Sequence, residues 1–498
     1  MTDRRIIFLL MVLVLSACSK KKTELLWEQS LFQIGSQSSP RCTDLNGDGV
    51  LDVVMGAGKE EMAATTHGVV ALDGQTGDLL WKQTAPAHVV GSPTFYDVND
   101  DGTQDVFIGG RGFFLVGLDG KTGERIWTYQ YQYENDPILR YARFNFYNST
   151  FVSDQNDDGR TDLLTINGGN WGAAREDTIN RFPAVLMVLD PVDGSILAFD
   201  TMPDGRESYM SPVAFIQPGD DDPYLVFGSG GETIGGSLFQ AKLSDLFSTN
   251  LVNAKILVSE SDHGYIAPPA IVDLDGDKYH DIIAVSHAGK VSAIDGKSQR
   301  VQWEKRFQGF EVSSSPVIGQ FNGDDVPDIL LMLSRGVWPN YSISAQVVLD
   351  GKNGKEIYHD SLGCFALSCA VVYDLDRDGI DEAIMSLNQY DCDFTLSEDT
   401  LSPPTIQTQL IAVDFDRSVV KVIEKKDRFR NIFSTPWIGD LDSDGYLDIV
   451  YSQYFNHRDI RKYRGMSVKR ISTHLRCRKQ PIWGAYMGSN GDGVYHRP

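Results

Sequence analysis

Asp44-Leu-Asn46-Gly-Asp48-Gly49, closed by a further acid at Asp52, decides the fold because the chain repeats it. Asp97-Val-Asn99-Asp-Asp101-Gly102 ends at Asp105, and Asp154-Gln-Asn156-Asp-Asp158-Gly159 ends at Asp162. Asp273-Leu-Asp275-Gly-Asp277 ends at Asp281, with Lys278 in place of the turn glycine. Asp374-Leu-Asp376-Arg-Asp378-Gly379 ends at Glu382, and Asp440-Leu-Asp442-Ser-Asp444-Gly445 ends at Asp448. Gln320-Phe-Asn322-Gly-Asp324, closed by Asp328, has lost its first acid, and a degraded copy runs from Gln217 to Leu225. A period of about 50–60 residues marks a repeat architecture, which overrides the several domains that length alone suggests.

Working outward, Pro40, Pro93, Pro269, Pro316 and Pro436 each stand four residues before a loop. Each loop leads into a short apolar strand such as Asp52-Val-Val-Met. A second strand follows, ending in a turn such as Asp73-Gly-Gln-Thr76-Gly77 or Asp119-Gly-Lys-Thr122-Gly123. A last strand then carries Trp81, Trp127, Trp303 or Tyr358. Four short strands per repeat, A to D, bounded by Asp-Gly and Thr-Gly turns, describe the blades of an all-β propeller. The registers give eight blades, or seven if the degraded fourth copy is not a full one. Leu25-Leu-Trp27-Glu-Gln29 copies Leu79-Leu-Trp81-Lys-Gln83, so an N-terminal strand is expected to complete the last blade and remove the open edges. Pro481 to Tyr486 compete for that place. Residues 24–498 therefore read as a single propeller with a C-terminal extension.

Alternate residues of an extended loop point the same way, so loop positions one, three and five converge their oxygens and position nine closes the shell. Hard oxygen donors of this kind suit calcium. Turn formation alone explains one such loop but not seven in register. The complete loops start at Asp44, Asp97, Asp154 and Asp440, the loop at Gln320 is the weakest, and the copy at Gln217 should hold no ion. The nine-residue form resembles the FG-GAP (VCBS) loops of integrin α-subunits and related bacterial propellers. The D-strand pattern, Ala71, Asp73, Thr76, Gly77 and Trp81, resembles the PQQ-like repeats of quinoproteins and BamB-type lipoproteins. Both resemblances imply a propeller and neither implies a reaction; the acidic loops and their FG-GAP likeness imply several structural calcium ions. The repeated aromatic reads as a lock between blades. No adjacent cysteines are present, so no pyrroloquinoline quinone is expected, and no GxSxG, HExxH or Walker motif occurs.

The N-terminus begins with Arg4 and Arg5, then an apolar run from Ile6 to Leu15, then Leu15-Ser-Ala-Cys18. Residues 1–17 read as a signal peptide, and the ending resembles a lipobox in which Cys18 is lipidated. Residues 18–23 would be the tether. The expected location is exported and lipid-anchored at the outer membrane, with the lipid as the sole membrane contact. Five cysteines besides Cys18 leave at least one unpaired and fix no pairing. The formal charge of −23 argues against a nucleic-acid partner.

Propeller connectivity puts A–B loops and C–D turns on one face, and B–C and D–A loops on the other. The acidic loops are A–B loops. The long insertions 129–147, 167–183, 334–344, 388–409 and 452–465 all belong to the opposite face and are rich in aromatics and arginine, the residue types that dominate binding hot spots. Trp171, Arg175, Trp338 and Tyr341 are the candidate ligand contacts. The chain therefore reads as a binding or scaffold module for an envelope or extracellular protein or glycan. A polysaccharide lyase on a calcium-rich propeller is the enzymatic alternative, and a quinone-dependent dehydrogenase is a third.

Overall fold

The computed structural model describes residues 23–170, 172–174, 177–393, 405–455 and 462–497. The apolar run after each acidic loop becomes a strand buried along its whole length, as in Asp52–Gly56, Asp105–Gly109 and Asp281–Val285. A strand buried on both faces needs no alternation, which explains the continuous apolar sequence. The D strands lie outermost and do alternate, as Leu79–Ala85 shows. The A strands are only three residues long, from Arg41–Thr43 in the first unit to Trp437–Gly439 in the last.

Among the described residues these strands form seven antiparallel sheets, four of four strands, two of five and one of nine, and the successive strand sets headed by the acidic registers are numbered as units one to eight. The fourth, degraded in sequence, is a full unit built on Val213–Phe215, Tyr224–Gly228, Gly236–Lys242 and Lys255–Glu260. A one-turn helix, Leu243–Phe247, replaces its C–D turn. Lys242 pairs with Asp220 there, so a lysine supplies the positive charge. The sixth and seventh units share one sheet, joined by the pair Cys364↔Asn388 and by a disulfide between Cys364 and Cys392. Cys42, Cys369 and Cys477 are free. Replacing Cys364 and Cys392 with serine should cost about 3 kcal/mol, given the 28-residue separation, and the two thiols that reduction adds to a denatured titration of the wild type should be missing from the variant.

The strand Glu24–Phe32 closes the ring. It pairs antiparallel with Gly465–Arg476, from Glu24↔Ser472 to Phe32↔Gly465, as the D strand of the eighth unit. Pro481 to Tyr486 do not take that place. The C-terminal segment instead runs along the innermost strands, where edge N–H groups need partners. Val372 N donates to Trp483 O at 3.0 Å, Ile438 N to Gly484 O at 2.7 Å and Ile271 N to Gly493 O at 2.8 Å. Arg41, buried, donates to the carbonyls of Tyr486 and Gly491 and to that of Pro93. The segment is thus an axle that touches the first, fifth, seventh and eighth units.

Two further devices join neighbours. Trp27 Nε1 donates to Gly74 O, Trp81 Nε1 to Gly120 O, Trp127 Nε1 to Pro191 O and Trp303 Nε1 to Gly351 O, all at 2.7–2.8 Å. Each indole lies against the glycine of the next unit's turn. A Cβ on Gly123, where φ is +70°, would meet Trp81 at 2.5 Å. Nearer the axis, side chains just before the A strands link unit to unit: Thr435 N to Ser39 Oγ, Ser39 N to Ser92 Oγ, Ser92 N to Asn148 Oδ1, Asn148 N to Ser211 Oγ, and Cys369 N to Thr435 Oγ1.

Candidate functional site: acidic loops and an opposed funnel

In the first loop, Asp44 accepts from Gly47 N at 2.8 Å and Gly49 N at 3.0 Å, which winds the backbone into a tight turn. The position-nine acid does more than close a shell. Asp52, fully buried, accepts from Leu45 N at 2.9 Å within its own loop and from Gly74 N at 2.8 Å in the C–D turn. Asp105 and Asp281 repeat both bonds, so each acid ties two turns of its blade together. Burial pushes the carboxyl of Asp52 up to about 6, and those of Asp281, Asp328 and Glu382 up to about 7. A cation in the loop would restore their ionised form.

The third loop tests whether the donors suit such an ion. Pro191 stands where Gly74, Gly120 and Gly296 donate, and proline has no N–H. Asp162 Oδ2 still accepts from Gln155 N, but the buried Asp162 Oδ1 has no hydrogen-bond partner. Asp154, Asp158 and Asp190 lie close enough to raise its carboxyl further, beyond the effect of burial. An orphaned carboxylate oxygen among acids is what a hard cation satisfies. Ligand oxygens of Asp273, Asp275 and Asp281, of Asp374, Asp376 and Glu382, and of Asp440, Asp442 and Asp444 likewise lie within 4.8 Å of one another. The first two of these donor sets, like that of the third loop, fit calcium, whereas in the last Asp442 is already paired with Arg470.

On the other face, B–C and D–A connections converge on a cavity of about 500 Å³. Glu61, Arg111, Arg181, Tyr209, Glu232 and Trp338 line it, and Tyr486 of the axle belongs to its wall. The arginines are held by acids. Arg111 pairs with Glu61 at 3.0 Å. Arg181 reaches Glu207 at 3.2 Å and donates to Tyr209 OH at 3.0 Å, while also bonding Ala174 O and Asp177 O to pin the insertion it belongs to. Burial raises the Glu207 carboxyl even against Arg181. Behind Trp338, Glu311 Oε2 accepts from Trp338 N at 3.0 Å and from Tyr341 OH, and lies 3.1 Å from His287 Nε2. Burial alone would raise Glu311, but His287 and Tyr341 hold it below its ordinary value.

Of the four candidate contacts read from sequence, Trp338 lines the funnel, packed against Tyr341, Phe365 and Phe433. Tyr341 is only 5% exposed and spends its hydroxyl on Glu311, so it supports the wall and does not face the cavity. Trp171 and Arg175 lie outside the described residues, as does Cys18. Insertion 334–344 is a hairpin extension of the strands Asp328–Val337 and Asn340–Leu349, not a loose loop. Tyr129, Tyr131 and Tyr133 of insertion 129–147 pack on one another. Sequence reading missed Arg111, Glu207, Tyr209 and Glu232. Their signal was position: each follows a buried B strand or precedes an A strand.

Comparison with known proteins supports the architecture. A family model described as outer membrane protein assembly factor BamB matches residues 13–174. Protein FAM234B of Gallus gallus is 24% identical over 397 residues, covering 72% of this chain, and the chain spans only 58% of that relative. Among solved structures, a europium-containing methanol dehydrogenase aligns with a TM-score of 0.56 at 10% identity, over 90% of this chain and 93% of that one. Rhamnogalacturonan lyase YesW aligns at 0.54 and 12% identity, over 95% and 80%. At such identities the likeness is one of fold. The chain has the β-propeller fold, and its residues 13–174 match the BamB family model.

Proposed function

We propose that the protein is an exported binding module, a calcium-stapled propeller that offers the funnel opposite its acidic loops to a protein or glycan ligand. The observation that carries this reading is the convergence of connections from around the ring on one polar cavity, with Trp338 at its wall. Short turns suffice to fold a propeller, so the long connections on this face are length spent on use. The BamB-type repeats support a protein-interaction role. The Cys364–Cys392 disulfide suits an oxidising compartment, in keeping with a signal peptide and a lipidated Cys18 at the outer membrane. Pyrroloquinoline quinone, a tricarboxylate, fits the funnel poorly. Among the described residues Arg111 and Arg181 already answer Glu61 and Glu207, and Glu232 adds negative charge.

The test is a pull-down from solubilised envelope, paired with a glycan array, using wild type and a variant with Trp338→Ala and Arg111→Ala. The variant should melt within a few degrees of wild type and retain its calcium while losing at least about tenfold in ligand recovered, as removal of a hot spot does. Equal recovery by both proteins would place the ligand elsewhere.

A further inference from the structure

The closing unit differs from the others where its chain is broken. In the first, second, fifth and sixth units the position-nine acid takes one of its hydrogen bonds from the glycine N–H of the C–D turn, as Gly74 gives to Asp52 and Gly120 to Asp105. The eighth unit has no such turn. Its C strand, Gly465–Arg476, leaves for the axle, and its D strand, Glu24–Phe32, arrives from the other end of the chain. The lost donor is replaced by Arg470. This side chain, 2% exposed, donates from Nη2 to Asp448 Oδ2 at 2.7 Å, from Nε to the same oxygen at 3.2 Å, and from Nη2 to Asp442. Its Nη1 donates to Gly74 O at 3.0 Å, the carbonyl that also receives Trp27.

Register shows that the arginine is a special provision. Arg470 stands opposite Val450, two residues beyond the position-nine acid. The matching C-strand residues are Ala71 opposite Val54, Gly117 opposite Phe107, Ala293 opposite Ile283 and Ala412 opposite Ile384. Those positions are small and apolar, and the eighth unit alone among these puts a guanidinium there.

We propose that Arg470 is a built-in cation that holds the closing loop without metal, so that the loop at Asp440, complete by sequence, takes no calcium. The guanidinium lies between loop positions three and nine, where two of the ion's ligands would be, and leaves the buried Asp440 Oδ1 at position one without a partner. It cannot lose its proton, and a divalent ion a few ångströms away would be repelled. Arg417 offers a contrast on the loop at Asp374. It pairs with Asp376, Asp378 and Asp414, but its side chain is 47% exposed and free to swing into solvent when an ion arrives. Arg470 has no solvent to retreat into.

This inference rests on the calcium reading of the other loops, and the experiment separates the two. Bound calcium is counted by atomic emission, after equilibrium dialysis, in wild type, Asp44→Asn and Asp442→Asn. Melting of wild type and Arg470→Met is then followed in excess chelator. Asp44→Asn should lose one ion per chain and Asp442→Asn none. Arg470→Met should melt roughly 5–10 °C below wild type in chelator, because Asp448 is left buried and unpaired. Loss of an ion from Asp442→Asn would overturn the proposal. Were wild type to bind no calcium, the reading of the other loops would fall. The chelator measurement would then decide on Arg470 alone, with an unchanged melting temperature overturning its role.

Discussion

Withdrawal of calcium is expected to lower the melting temperature by roughly 10 °C or more, the largest effect any single manipulation should have on this protein. A ligand that binds only the folded state adds about 2.7 kcal/mol per site at a hundredfold excess over its dissociation constant, and a chelator removes that at every occupied loop together. The physical lever is the position-nine acid. Asp281, Asp328 and Glu382, pushed by burial up to about 7, are only partly ionised at neutral pH unless a cation faces them. The third loop should be the most sensitive, because Asp162 has one buried oxygen that Pro191 cannot serve. Asp154→Ala should therefore cost more than Gln320→Ala, whose loop already lacks its first acid. Scanning calorimetry with calcium and with chelator checks both statements. Equal melting in the two conditions would remove calcium from the account.

Trp81→Ala is expected to cost about 3–5 kcal/mol, the range for deleting a large buried aromatic. The indole is 8% exposed, donates to Gly120 O at 2.8 Å and covers the turn at Gly123. Its loss opens a cavity between the first and second units and strands a carbonyl. The lock can also be broken from the other side. Gly123→Ala forces a Cβ into the ring at 2.5 Å and a side chain into a φ of +70°, so a loss of about 2–3 kcal/mol should follow with no atom of the tryptophan removed. Urea midpoints for the two variants and the double variant would show strong non-additivity if one contact is responsible.

The repeat was legible because each of its elements is forced by backbone chemistry. The acids wind a loop, the glycine turns it, and the aromatic needs a flat surface to lie on. The copy of Leu79–Gln83 at Leu25–Gln29 revealed ring closure for the same reason. The funnel was not legible to that degree. Arg111, Glu207 and Tyr209 occur once each, outside any period, and gain meaning only when the connections carrying them meet. Trp338 and Tyr341 have equal credentials as hot-spot residues. A carboxylate at Glu311, 30 residues from Tyr341 in the chain, separates them by drawing one inward. Arg470 left a trace that can be read afterwards: a lone cation in a strand register that holds alanine, glycine or valine in the other acid-closed units.

The pairing of Glu24–Phe32 with Gly465–Arg476 sets a timetable for biosynthesis. Its partners stand roughly 450 residues apart. At about 5–20 residues per second, the first strand waits some tens of seconds after translation before its mate exists. Earlier units can form as they emerge, but the ring stays a horseshoe until Gly465–Arg476 has been made. A product cut short by premature termination would keep the free edge of the first strand and lack the axle. It would expose backbone donors and acceptors that invite aggregation or proteolysis. Pairing two strands so far apart in sequence therefore lets the ring seal only after Gly465–Arg476 has been made.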